Sequence, residues 1–223
     1  MDPKSEALMN EYYSKLLGEH GDSLEALVYR APEQQDKRFA LMTDIGPIPH
    51  DASVLDVGCG LGHLCEYLRR FGWKGEYTGI DINPDMVKTA QERLPDATFQ
   101  RVNILEDEFD KKFDYVFCGA TIQHRPQFAD SYEYMKQMVT KMFSLSNKAL
   151  TFDVFSGRAE YEDDDKLYIE PSRLLEFCYT LTSRVVLRND ARPFELMMYL
   201  HREEDRDEFN IYKTWAEETP RIV

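Results

Sequence analysis

The chain has 223 residues, 43% of them hydrophobic, and a formal net charge of −14 from 41 acidic and 27 basic side chains. Such a composition supports one sizeable core, excludes wholesale disorder, and argues against nucleic acid as a partner, since the field repels a phosphate backbone. No run approaches the roughly 20 apolar residues of a membrane helix, and the opening Met1-Asp-Pro-Lys-Ser-Glu6 lacks the basic and apolar regions of a secretory signal, so none is expected.

In chain order, residues 6–17 carry Leu8, Tyr12, Leu16 and Leu17 near helical spacing. Asp22-Ser-Leu-Glu25 has the spacing of a capping box and starts a short second helix. Pro32 opens a third, which Gly46, Pro47 and Pro49 stop. Residues 1–47 thus form a helical cover too short for a separate domain. From residue 53 the pattern alternates. Strands are expected over 53–57, 75–82, 98–104, 113–117 and 149–155, with helices over 64–71, 84–93, 130–144 and 171–178 between or after them. Two final runs, 183–189 and 194–201, are joined by Asp190-Ala-Arg-Pro193 as a hairpin. Alternation of this kind predicts an α/β fold, a doubly wound and mostly parallel sheet with helices on both faces. Residues 48–202 would be the main domain and 203–223 a charged tail, in which Phe209, Tyr212 and Trp215 stand near helical spacing.

The chemistry begins at Val54-Leu-Asp-Val-Gly-Cys-Gly-Leu-Gly62. A strand that runs into a glycine-rich turn and then a helix lets a ligand approach backbone N–H groups. The glycines stand at 58, 60 and 62, one residue short of the dinucleotide spacing Gly-x-Gly-x-x-Gly. Residues 62–64, Gly-His-Leu, exclude a phosphate-binding Walker loop. Asp81 ends the next strand, where a carboxylate can accept both hydroxyls of a ribose; the alternative is a turn aspartate before Pro84. Asn103 and Ile104 end the third strand, placed to bond an adenine edge and pack on its ring; the alternative for Asn103 is a turn asparagine before an acidic loop.

These segments, with Tyr77-Thr-Gly-Ile-Asp81 and Phe113-Asp-Tyr-Val-Phe-Cys-Gly119, resemble class I S-adenosylmethionine-dependent methyltransferases of the small stand-alone bacterial type. The resemblance covers about residues 50–202. It implies a seven-stranded sheet of order 3-2-1-4-5-7-6 with the seventh strand antiparallel, S-adenosyl-L-methionine as cofactor, and an N-terminal helical lid. It also implies cofactor contacts from Asp56, Gly58, Cys59, Gly60, Gly62, Asp81, Ile82, Asn103, Ile104 and Gly119. Asn103 departs from the family's more usual Asp beside the adenine.

A sulfonium cofactor carries its own leaving group, so the protein need only align the acceptor and shield the site. A base is required where the acceptor loses a proton. His124, just past the fourth strand, is the candidate base, with a packing role as its alternative. Substrate-binding candidates are Tyr12, Tyr13 and Tyr29 from the lid, Arg125 beside His124, and Asp153 and Phe155 after the fifth strand; Gln34 and Gln35 also stand at the lip. His63 is expected to be structural. The acidic run 160–165 lacks the glycine and spacing of a calcium loop, and cysteines 59, 65, 118 and 178 form no Cys-x-x-Cys pair, so no metal is expected. Scattered thiols suggest a reduced, cytoplasmic protein. The expected activity is methyl transfer to an O or N of a small molecule, by a monomer or homodimer. The alternatives are an NAD-linked oxidoreductase, disfavoured by glycine spacing, a non-catalytic cofactor-binding scaffold on the same fold, and a protein methyltransferase.

Overall fold

A computed structural model describes residues 3–124, 130–192 and 194–202. Arg125 and the tail 203–223, with its three aromatic residues, lie outside the described residues. Helix α1 spans Pro3–His20, a 3-10 turn follows at Leu24–Leu27, and α2 spans Pro32–Thr43 with Pro32 at its first turn. The turn starts after Ser23, with no side-chain cap bond, so the expected capping box at Asp22 is not formed.

Strands β1 (Val54–Val57), β2 (Tyr77–Asp81), β3 (Thr98–Arg101), β4 (Phe113–Cys118) and β5 (Ser146–Ser156) alternate with α3 (His63–Arg70), α4 (Pro84–Arg93) and α5 (Ser131–Leu145). A two-residue β6 (Tyr168–Ile169), helix α6 (Pro171–Tyr179), β7 (Val185–Arg188) and β8 (Glu195–His201) complete the chain. The strand order is 3-2-1-4-5-8-7, with β6 paired to β5 off that path. Leaving out β6, which two residues cannot announce by periodicity, this is the expected 3-2-1-4-5-7-6. The first five strands pair in parallel, whereas β8 runs antiparallel to both β5 and β7.

β1 is buried at all four positions because helices cover both faces of the sheet. Two apolar clusters lie on those faces, one around Leu55, Phe113, Met142 and Leu150, the other around Val54, Leu64, Tyr77 and Phe117. β1, β2 and β4 therefore carry their C-terminal ends to one edge, where loops from adjacent strands diverge and a crevice opens.

α1 lies on that edge, though not by the expected face. Leu8 and Tyr12 are exposed, while Met9 and Tyr13 turn inward. Polar bonds set the rotation. Asn83 is 1% exposed and caps α4 by accepting from the Asp85 and Met86 amides, and its Nδ2 donates to the Asn10 carbonyl at 3.0 Å and Ser14 Oγ at 3.1 Å. Glu6 accepts from Asn103 Nδ2 at 2.7 Å and pairs with Arg101. None of the described helices is long and apolar enough to cross a membrane.

Candidate functional site

The crevice encloses about 1150 Å³, a figure that includes the open space at its mouth, and its lining is mostly apolar with a few polar groups, as small-molecule sites have. One half is built by the glycine loop and its neighbours. Gly58, Cys59 and Gly60 line it after β1, Asp81 and Ile82 after β2, and Asn103 and Ile104 after β3. Gly58 has φ +75°, and a β-carbon there would lie 2.0 Å from Thr121 Oγ1. Only glycine lets the loop pass so close beneath the segment after β4.

Asp81 is the loop's partner in a literal sense. One carboxylate oxygen accepts the Gly60 N–H at 3.0 Å, and the other accepts the Asn83 N–H at 2.9 Å. Burial raises its pKa despite those bonds. Asp56, 5% exposed on β1, accepts the Tyr77 hydroxyl at 2.6 Å. Burial carries its pKa to about 7, the Tyr77 bond pulling the other way.

Gly62 is the exception among the expected cofactor contacts. It does not line the crevice; at φ +80° it begins α3, and a β-carbon would meet the Phe99 ring at 2.7 Å. Its role is packing. His63, expected to be structural, does border the crevice. Arg93 Nη1 lies 2.9 Å from its Nε2, and its buried Nδ1 has no partner among the described residues. An arginine has donors only, so Nε2 accepts and the proton sits on Nδ1. Burial and then Arg93 hold its pKa down at about 4.

The other half is aromatic. Tyr13, Tyr29, Gln35, Phe39 and Met42 from the N-terminal helices meet Gly119, Ala120, Thr121 and His124 from the segment after β4, with Tyr134 and Met138 from α5. Met42 packs directly on Gly119, where a β-carbon would lie 2.5 Å from its Sδ. His124 Nε2 lies 3.1 Å from the Tyr13 hydroxyl, and its Nδ1 lies 3.3 Å from Lys166 Nζ. Both ring nitrogens are thus engaged. Burial first, and Lys166 second, keep its pKa down at about 4. Residue 166 reaches it because His124 and Lys166 form an isolated antiparallel bridge, which docks the acidic segment at the crevice rim.

Three substrate-binding expectations are corrected. Tyr12 is 45% exposed and does not line the crevice, though its ring meets the edge of Tyr13. Phe155 stacks on Tyr168 outside it. Asp153 is wholly buried, pairs with Arg38 of α2, and accepts the Ala120 N–H at 2.7 Å. Arg38 also donates to Glu195 at 2.8 Å. This network anchors α2 to the sheet and fixes the turn after β4, where Ala120 holds φ +59°. Charged letters usually mean surface, so no sequence signal marked Arg38. Met9, Leu27, Phe39, Met42 and Met86 were missed because apolar residues of a cavity and of a core look alike in sequence. Among the described residues no group of His, Cys, Asp and Glu gathers as for a metal.

A family model described as a methyltransferase domain matches residues 54–142, from β1 into α5. A protein of Mycobacterium tuberculosis, Rv1506c, named provisionally as a methyltransferase, is 27% identical over 158 residues, which is 67% of this chain and 93% of that one. The malonyl-[acyl-carrier protein] O-methyltransferase of Anoxybacillus flavithermus is 32% identical over 133 residues, 58% of this chain but only 48% of that longer protein. The magnesium protoporphyrin IX methyltransferase of Synechocystis PCC 6803 shares the fold, with a TM-score of 0.61 at 16% identity, over 91% of this chain and 98% of its own. Glycine loop, strand order and domain match agree: residues 54–142 are similar to a methyltransferase domain, and the sheet has the strand order expected of class I S-adenosylmethionine-dependent methyltransferases.

Proposed function

We propose that the crevice holds S-adenosylmethionine and that the chain moves its methyl group to an oxygen or nitrogen of a small molecule. The observation that carries this reading is the coupling of the Gly58–Gly60 loop to Asp81 at the floor of a crevice with a separate aromatic half. The residues fit the cofactor. Asp81 keeps lone pairs for the ribose hydroxyls beyond its two backbone bonds, Ile82, Asn103 and Ile104 flank the adenine, and Asp56 with Gly58 faces the methionine part. The unpartnered Nδ1–H of His63 suits an acceptor atom of the same ligand. Bound there, the sulfonium supplies an activated methyl and its own leaving group.

The chain's own contribution is enclosure and alignment. Tyr13, Tyr29, Phe39 and Met42 exclude water and shape the acceptor half, and Gly119 to Thr121 border the methyl. The relative that acts on malonyl-[acyl-carrier protein] is an O-methyltransferase, which favours oxygen. Residues 1–47 serve as the cover and 48–202 as the catalytic domain. Four free, buried thiols suit a reducing compartment, the cytoplasm.

Calorimetric titration with S-adenosylhomocysteine, with NAD as control, tests the proposal. One-to-one binding of the first and none of the second is expected. Binding of NAD, or of neither, would sink it.

A further inference from the structure

We infer that Lys166, His124 and Tyr13 form a one-way hydrogen-bond chain that turns the Tyr13 hydroxyl into a donor facing the crevice, and that the methyl acceptor it selects is a carboxylate. The inference rests on the methyl-transfer reading above and deepens it.

Direction follows from what each group can do. An ammonium has three donors and no acceptor, so at 3.3 Å Lys166 donates and His124 Nδ1 accepts. A neutral imidazole has one N–H and one lone pair, and the lone pair is now used. The proton therefore sits on Nε2, which donates to the Tyr13 oxygen at 3.1 Å. The Tyr13 O–H is left to donate elsewhere, and Tyr13 lines the crevice. Asp165, bonded to Lys166 at 2.7 Å, secures the ammonium.

The same logic removes the general base. The lone pair of His124 points at Lys166, and that of His63 at Arg93. Asp56 and Asp81 belong to the cofactor half. The other polar lining groups are tyrosines, a buried thiol, Gln35, Asn103 and Thr121, none a base near neutral pH. Among the described residues a phenol or an ammonium would find no group placed to take its proton. A carboxylic acid, with an ordinary pKa near ~4, arrives already ionised.

One carboxylate oxygen accepts the Tyr13 hydrogen bond. The other forms a bond to the methyl carbon as the S–CH3 bond breaks and its electron pair leaves with sulfur. The products are a methyl ester and S-adenosylhomocysteine, and no proton is released. What the acceptor meets is the donor end of a chain of two hydrogen bonds that begins at the Lys166 ammonium.

The first test needs no turnover. In the 15N-labelled full chain, with His124→Gln to assign the signal, His124 should be the neutral Nε2–H tautomer from about pH 6 to 8. An Nδ1–H tautomer or an imidazolium there overturns the inference. The groups facing the ring are Tyr13 from α1 and Lys166 with Asp165 from the rim segment. The second test offers benzoate, phenol, benzylamine and their aliphatic counterparts with S-adenosylmethionine, scoring esters by methanol released in alkali.

Acids should be the acceptors. Lys166→Met should raise their KM roughly tenfold or more and Lys166→Arg should restore it. Both variants should bind S-adenosylhomocysteine like the parent, since Lys166 does not line the crevice. Transfer to phenols or amines but not acids overturns the carboxylate while the methyltransferase reading stands. So does silence from all three classes when S-adenosylhomocysteine binds. An arginine variant no better than methionine overturns the donor chain. Failure to bind S-adenosylhomocysteine sinks the function itself.

Discussion

Replacing Arg38 with methionine isolates one buried charge. Arg38 is 5% exposed and bridges Asp153, at 0%, to Glu195, at 5%. Glu195 keeps a second partner, Arg192 Nη1 at 2.8 Å, so it is not stranded. Asp153 keeps only the Ala120 N–H, and a full charge remains on a side chain with no solvent contact. Breaking such a pair from one side costs about 3–5 kcal/mol. At roughly 2–4 °C per kcal/mol for a chain of this size, Tm should fall by about 6–20 °C.

The cause is separable from lost packing by adding Asp153→Asn. Its amide oxygen still accepts the Ala120 N–H, but no charge is left unpaired. The double variant should recover at least half of the loss, a coupling of at least about 1.5–2.5 kcal/mol in a double-mutant cycle read by urea unfolding. A cost below about 1 kcal/mol for Arg38→Met would refute the reasoning. So would an asparagine that adds its own penalty.

Two further outcomes follow from the site. Asp81→Asn keeps an acceptor for one backbone amide but loses the charge, so S-adenosylhomocysteine affinity should fall about 10- to 100-fold in calorimetry, for a charged hydrogen bond worth roughly 1.5–3 kcal/mol. Unchanged affinity would remove the ribose assignment. Asp56→Asn should gain stability relative to the parent as pH rises. The folded pKa of Asp56 is raised to about 7, so the native state holds a proton that the unfolded state gives up above about pH 4, and the parent loses stability from pH 4 to 7. Between pH 5 and 8 the difference should move by about 2–3 kcal/mol in favour of Asn, measured by urea unfolding at both pH values. A pH-independent difference would refute the raised pKa.

The strands and helices of the sheet were legible because their signals are local. Pro84–Arg93 matches its expected bounds, since Asn83 and Pro84 supply both the cap and the preset φ in adjacent letters. The glycine-loop half of the crevice was legible for the same reason: Asp56 lies in β1 and Gly58 just after it, Asp81 ends β2, and Asn103 stands two residues past β3. The aromatic half was not. Which face of α1 turns inward is decided by Asn83, Asp85, Asn103 and Arg101, residues some 70 to 95 positions away. Leu8 and Tyr12 were the more apolar stripe and lost to those bonds. His124 was found by position, but the polarity of its hydrogen bonds depends on Lys166, which sequence reading left in an acidic loop.

Phe99 ties two motifs together. A β-carbon at Gly62 or at Gly79 would meet the same ring, at 2.7 Å in each case. The last glycine of the loop and the glycine of β2 are therefore vacated for one side chain of β3. A sequence that gained a methyl group at 62 or 79 would have to shed ring volume at 99, and at 79 it would also have to move Cys59 Sγ, 2.8 Å away, while position 62 would still carry the strain of φ +80°.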